Sequence, residues 1–444
     1  MAKKQTAYVC ANCGAESTTW AGKCFACGEW NTLQETVIAN SSTGSVGKSL
    51  QVQTSTTAAN VDTKRLTTGM KDLDIVFGGG IVPGGIMLIA GEPGIGKSTL
   101  LLQIADKVAE RANVLYVSGE ESTHQIGLRA KRLKAGAEKL ELATSNSVED
   151  IAASINSKQY NLVIVDSIQT ISSGAVNSSA GSVSQITSCT HILMNTAKQS
   201  NTAVLLVGHV TKEGSIAGPK LLEHIVDVVL QLEGDRYGGF KLLRGVKNRF
   251  GSTNEVAIFE MVEEGLKPVD NPSEALLAER QITDGSVVLA TMEGSRPILV
   301  EVQALVNKTS YGYPKRAASG IDLNRLNLLV AMLERRTKLS LADKDIYINI
   351  VGGIKVSEPA ADLAICMAIG SADKGLQLKQ NAVVFGELGL SGEVRHVPYA
   401  ERRVAEAKKL GFEAAIGPVT KMNKDKFLYG VRDVRTALNS FLES

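Results

Sequence analysis

The sequence predicts an α/β chain of three folded parts. These are a small N-terminal cysteine ribbon, a parallel sheet wrapped by helices around a glycine-rich loop, and a separate C-terminal α+β domain. Three observations carry that prediction. Four of the six cysteines form two Cys-x2-Cys pairs by residue 27, apolar strands alternate with helical stretches from residue 86 to 209, and the pattern changes after VDNPSEALL. At 444 residues the chain is long enough for two or three cores. A net charge of +2 gives no global field toward nucleic acid, so any such surface must be local. No apolar run approaches the roughly 20 residues of a membrane span. The opening MAKKQTAYVC lacks the hydrophobic region of a secretory signal. The expected location is the cytoplasm, with no membrane partner.

The first part, residues 1–35, contains Cys10-x2-Cys13 and, ten residues later, Cys24-x2-Cys27. A two-residue spacer turns both sulfurs of a pair toward one point, and two pairs make the four-thiolate set that Zn²⁺ prefers. A ribbon this short cannot bury a core, so metal binding would supply its folding energy. Four protein ligands leave no open position, so the site reads as structural. Trp20 and Trp30 are expected to cover it. Cys189 and Cys366 stand in apolar, helical contexts and read as small buried hydrophobes.

Residues 36–60 hold ten Ser/Thr and a single charge, which reads as a flexible linker. The GSVGKS within it is a decoy. A phosphate loop needs four residues between its first glycine and the Gly-Lys pair, and this one has two.

The second part, residues 61–272, carries the chemistry. An apolar strand, Ile86–Ala90, runs into Gly91, Glu92, Pro93, Gly94, Ile95, Gly96, Lys97, Ser98 and Thr99, then an amphipathic helix. That is the full phosphate-loop pattern in its strand–loop–helix setting. Backbone amides and a helix N-terminus would close round the phosphates of ATP. Lys97 would meet the β/γ-phosphates and Ser98 would ligate Mg²⁺. Three further strands end in Glu120-Glu121, in Asp166 and in His209. Parallel strands present ligand groups at their carboxyl ends. Asp166 is expected to hold Mg²⁺ through water, Glu120 to polarise the attacking water with Glu121 as the alternative, and His209 to sense the γ-phosphate.

These residues resemble the RecA-like motor core, and SGEESTHQIGLRAKRL is similar to the corresponding segment of bacterial ring helicases. Together with the cysteine pairs in front and KNRFG (247–251) behind, the order of motifs resembles a bacterial family of DNA-repair ATPases. That family has a RecA-like P-loop ATPase core, an N-terminal zinc ribbon and a C-terminal Lon-protease-like domain. The resemblance implies an ATP-driven, DNA-dependent ATPase and helicase-type ring, a homo-oligomer of six subunits. It would act on single-stranded and branched DNA in recombination and repair by branch migration, beside a RecA-type recombinase. It also implies that Lys247 and Arg249, two apart on a strand near the far edge of the motor sheet, act in trans on a neighbour's γ-phosphate. Segments 172–185 and 211–219 read as mobile loops, in the places where RecA-like relatives touch single strands. Lys212 and Lys220 offer phosphate contacts there.

The third part, residues 273–444, has strand-like stretches at 281–307 and 345–354 and helical ones at 321–336, 358–371 and 398–410. GGIKVSEPAADLAICMAIG and GELGLSGEVRHVPYAERRVAEAKKLG resemble the serine- and lysine-bearing segments of Lon protease. The alignment puts Ala360 at the serine and Glu401 at the lysine, with Ser357 three residues early. A methyl group cannot attack a carbonyl, so this domain is expected to be non-proteolytic and to scaffold a ring. Lys308, Lys315, Arg316, Arg325, Arg335 and Arg336 are candidates to line a DNA path. The alternatives are a RecA-like strand-exchange accessory factor without true helicase activity, an ATP-dependent protease, and a clock or signalling ring resembling KaiC.

Overall fold

The computed structural model describes residues 5–38, 64–209, 221–234, 240–310, 312–420 and 426–443. Most of the expected linker, its GSVGKS decoy and the 211–219 segment with Lys212 and Lys220 lie outside the described residues. The linker's first residues, Thr36–Ile38, belong to a strand.

The N-terminal ribbon is a three-stranded antiparallel sheet, in the order β2-β1-β3, from β1 (Gln5–Cys10), β2 (Glu16–Ser17) and β3 (Leu33–Ile38). Its core is Cys10, Cys24 and Leu33, with Tyr8, Ala15 and Cys27 packed against them.

The motor sheet starts with β4 (Ile86–Gly91), β5 (Val114–Ser118), β6 (Leu140–Thr144), β7 (Leu162–Asp166) and β8 (Ala203–His209). It continues with β9 (Val228–Gly234), β10 (Phe240–Asn248), β11 (Val256–Val262) and β12 (Gly265–Pro268). The order is β12-β11-β10-β9-β4-β8-β7-β5-β6, and every pairing from β9 to β6 is parallel. β4, β5 and β7 are buried along their whole length, which is why they read as continuous apolar runs rather than alternating ones. Helices Val148–Ser157 and Val183–Ser200 pack on this sheet through Ile151, Ile155, Ile186, Cys189 and Leu193. Register then fixes the geometry that matters. Gly91 pairs with His209, and Ser118 with Asp166, so four strand ends finish at one edge of the sheet.

The described residues fall into two compact units, the second comprising Gly234–Lys241, Asn254–Met261 and Pro268–Ser444. The second unit holds a seven-stranded mixed sheet. Its order is Arg316–Ser319, Lys344–Ile350, Arg296–Lys308, Ser286–Glu293, Ala382–Val384, Ala414–Pro418 and Leu428–Val431. Helices Leu323–Thr337, Asp362–Lys374 and Ala400–Lys409 accompany it. The helix Asp362–Lys374 is buried from Asp362 through Ser371 and contains Cys366. Among the described residues no helix is long and apolar enough to cross a membrane.

Candidate functional site: a phosphate loop and four converging strand ends

The loop after β4 is held by two glycines. A Cβ on Gly91 would sit 2.7 Å from the Leu232 carbonyl oxygen, and Gly96 has φ of 115°, where a side chain is strained. Glu92, Pro93 and Gly94 form the exposed tip, Ile95 is buried beneath them, and Lys97, Ser98 and Thr99 open the helix Lys97–Ala109. The Lys97 side chain is buried. Its Nζ donates to the carbonyls of Gly91 (2.8 Å) and Glu92 (2.9 Å) and lies 3.1 Å from His209 Nδ1. Burial lowers the Lys97 ammonium to about 8, with the Asp166 and Glu120 charges working against the fall. His209 is also lowered, first by burial and then by the Lys97 charge. A neutral imidazole offers its Nδ1 lone pair to Lys97, which leaves the proton on Nε2, 3.8 Å from Glu120 Oε1.

Glu120 and Glu121 part company at this edge. Ser118 Oγ accepts the amides of both, at 3.2 and 2.9 Å, and so sets the turn. The Glu120 carboxylate then accepts from Ser167 Oγ at 2.8 Å and faces His209. Glu121 pairs with Arg129 instead. Ser122 and Gln125 form a reciprocal capping box at the start of the helix Thr123–Arg132. The Glu, Ser, Gln and Arg of the SGEES stretch thus include a helix cap and an ion pair, and Glu121 is an engaged side chain. Asp166 is buried, and its Oδ2 accepts from Tyr116 OH at 2.6 Å. Burial, reinforced by the Asp166 charge, pushes the Tyr116 hydroxyl far above its ordinary value, so it stays a donor. Ser118, Tyr116 and Ser167 were not singled out from the sequence. The only signal was polar residues within and just after otherwise apolar strands.

Lys247 is the penultimate residue of β10 and Arg249 lies just past its end at Asn248, with β11 and β12 further out in the sheet. Both converge on residues 223–227, but unequally. Lys247 Nζ donates to the carbonyls of Glu223, His224 and Val226, at 2.7, 3.2 and 2.8 Å. Burial, and next the Arg249 charge, lowers its pKa. Arg249 pairs with Asp227 at 3.1 Å through Nη1, and its side chain is about half exposed (53%). Segment 172–185 departs from the expected mobile loop. The buried Gln185 side chain binds Ser173 N and the carbonyls of Ser173, Val176 and Ser178, and a helix begins at Val183.

In the ribbon the four cysteine sulfurs lie within 4.8 Å of one another. Cys10 to Cys27 is 3.7 Å and Cys13 to Cys24 is 3.6 Å. Four sulfurs at Zn–S bonds of ~2.3 Å would be about 3.8 Å apart, so the set fits a tetrahedral zinc. Gly14 N donates to Cys10 O and Gly28 N to Cys24 O, two matching knuckles. Burial raises the Cys10 thiol, but Thr32 and the amides of Cys13 and Asn12 outweigh it and hold it at about 6. The amide of Cys27 is the largest influence on Cys24 and lowers it. Cys13 goes the other way, to about 12. The Ala15 amide lowers it, but burial and the three crowded sulfurs prevail. Charge that four thiolates cannot share alone is what a dication relieves. Trp20 and Trp30 do not cover this site. They are 59% and 68% exposed, because Tyr8, Ala15 and Leu33 already fill the ribbon core.

Residues 52–215 match the model of an AAA domain, 8–35 that of a rubredoxin metal binding domain, and 327–421 that of subunit ChlI of Mg-chelatase. The DNA repair protein RadA of Aquifex aeolicus is 48% identical over 94% of each chain. That of Pseudomonas aeruginosa is 47% identical over 96% of this chain and 95% of its own. That of Bacillus subtilis is 46% identical over the whole of both. The chain belongs to the RadA family. It has the RecA-like P-loop core, the zinc ribbon and the Lon-like C-terminal domain expected of it.

The Lon-like domain of this RadA-family chain has a different kind of centre. Ala360 is buried, and Ser357 and Glu401 are exposed. Beside Ala360, the carboxylate of Glu358 meets the buried guanidinium of Arg403 through two bonds, of 2.8 and 2.7 Å. Thr291 Oγ1 and Met292 N donate to the same carboxylate. A cavity of about 620 Å³ adjoins it, lined by Ser357, Pro359, Lys355 and Arg325 among others. Arg325 pairs with buried Asp362, Arg316 donates to Asn327 and Arg336 to the Leu390 carbonyl. Arg335 is exposed, as are Lys308 and Lys315.

Proposed function

We propose that this chain is an ATP-driven motor for single-stranded and branched DNA, working as a homo-oligomeric ring in recombination and repair. One observation carries the reading: Lys97, Glu120, Asp166 and His209 meet at the edge of one parallel sheet, over a phosphate loop. In it, Lys97 holds the β/γ-phosphates, Ser98 and Asp166 hold Mg²⁺, Glu120 orients water, and His209 links the γ-phosphate position to the chain that follows it. Arg249 is the better candidate for a cation acting on the adjoining protomer's nucleotide. It is half exposed and held at one nitrogen, whereas Lys247 is engaged by three carbonyls. The ribbon binds Zn²⁺ through Cys10, Cys13, Cys24 and Cys27. The C-terminal domain scaffolds the ring without proteolysis, since no nucleophile stands at Ala360. Full-length relatives named for DNA repair support the choice of DNA as partner.

The test is ATP hydrolysis with and without single-stranded DNA, followed by forked-duplex unwinding. Single-stranded DNA should raise the wild-type rate, and Lys97→Ala should lose on the order of 10³-fold in kcat. A rate indifferent to DNA overturns the motor reading.

A further inference from the structure

We propose that Asp227 is a positioning residue for Arg249, tying that cation to the strand that carries its own protomer's phosphate loop. This rests on the reading of Arg249 as a cation that serves the adjoining protomer. Asp227 lies just before β9 and is 7% exposed. Its carboxylate works in two directions. Oδ1 accepts from Arg249 Nη1 at 3.1 Å, and Oδ2 accepts from the amide of Ile86 at 3.1 Å. The backbone repeats both links: Asp227 N donates to Ile86 O at 2.8 Å, and Arg249 N donates to Asp227 O at 3.1 Å. Ile86 is the first residue of β4, the buried strand that ends in the phosphate loop at Gly91.

A carboxylate this buried needs its charge met, and both donors meet it. The Nη1 contact and the backbone bond from Arg249 N to Asp227 O tether the residue at two points, while the other guanidinium donors stay available. Lys247 supports the arrangement from behind. By gathering the carbonyls of Glu223, His224 and Val226 it fixes the chain that presents Asp227.

Asp227→Asn keeps an acceptor for the Ile86 amide and removes the charge facing Arg249. In the assembled protein kcat should fall about 10²-fold, the cost of misplacing a reacting group by roughly an ångström. The nucleotide KM should stay near wild type, because the variant's own cleft is intact. Mixed with Lys97→Ala, which has an intact Arg249 and a dead cleft, it should hydrolyse ATP severalfold faster than the two separate rates added together. A parallel mixture of Arg249→Ala with Lys97→Ala tests the underlying reading. Recovery there but not with Asp227→Asn overturns the positioning role alone. Recovery in neither overturns the trans reading with it. If Asp227→Asn does not fold, Asp227→Glu keeps the charge but displaces it, and should show the same loss and the same recovery on mixing. A wild-type kcat in either variant overturns the proposal.

Discussion

The phosphate-loop edge and the Glu358–Arg403 centre both gather opposite charges, and they treat them in opposite ways. At the loop, Lys97 shares its proton-bearing nitrogen among two carbonyls and an imidazole, and its pKa drops to about 8. Glu120 likewise lies between two groups, Ser167 and His209. In the Lon-like domain the Arg403 guanidinium is locked to one carboxylate by two bonds and also donates to the Ala290 carbonyl. The same carboxylate is met by Thr291 and Met292. Charges held loosely among several neighbours suit a site that must exchange partners during a reaction. Charges satisfied on every side suit architecture. Beside Ala360, where the resemblance to Lon would place a nucleophile, the fold holds a fully engaged ion pair.

That contrast can be broken in four ways. The largest expected effect is at Glu120. Glu120→Gln keeps the shape and removes the base, so kcat should fall by roughly 10²–10⁴ with nucleotide binding retained, read by steady-state hydrolysis and equilibrium titration. Arg403→Met comes next. It leaves Glu358 without its cation and should cost about 3–5 kcal/mol in a denaturant melt of the C-terminal transition. Glu358→Gln combined with Arg403→Met should cost less than Arg403→Met alone, because no unpaired charge remains.

A pH series is the third. Lys97 titrates near 8 in the folded chain against 10.5 for an ordinary lysine. Between those values the unfolded chain binds more protons than the folded one, so stability rises with pH across that window. Denaturant midpoints of the wild type should therefore climb from about pH 8 toward 10.5 relative to Lys97→Met, which lacks the group; parallel curves would contradict the buried, depressed lysine. The smallest effect belongs to Glu121→Gln. It removes a partly exposed pair with Arg129, worth under about 1 kcal/mol, with little change in kcat. A collapse of kcat there would reverse the assignment of the two glutamates.

The features legible in the sequence were local ones. The phosphate loop, the strand ends at Glu120, Asp166 and His209, and the cysteine spacing are each written in a dozen consecutive residues or in plain periodicity. What was not legible depends on residues far apart in the chain. Asp227 meets Ile86 across 141 positions, and Ser167 meets Glu120 across 47. No spacing rule reaches that far. The tryptophans failed for a different reason. Indoles beside a metal ribbon look like a lid, but a sheet of three short strands has one small interior, and Leu33 and the cysteines occupy it. Sequence alone did not separate Glu121 from Glu120, because a residue that pairs with Arg129 is of the same type as one that faces the phosphate loop.

Gln185 has a consequence of its own. One buried amide fastens the stretch after Asp166 at Ser173, Val176 and Ser178 together. Withdrawing that amide would remove four hydrogen bonds from residues 173–178 together, leaving Glu149, through Ser173 and Gly174, and the Ser178 hydroxyl contacts to carry the stretch.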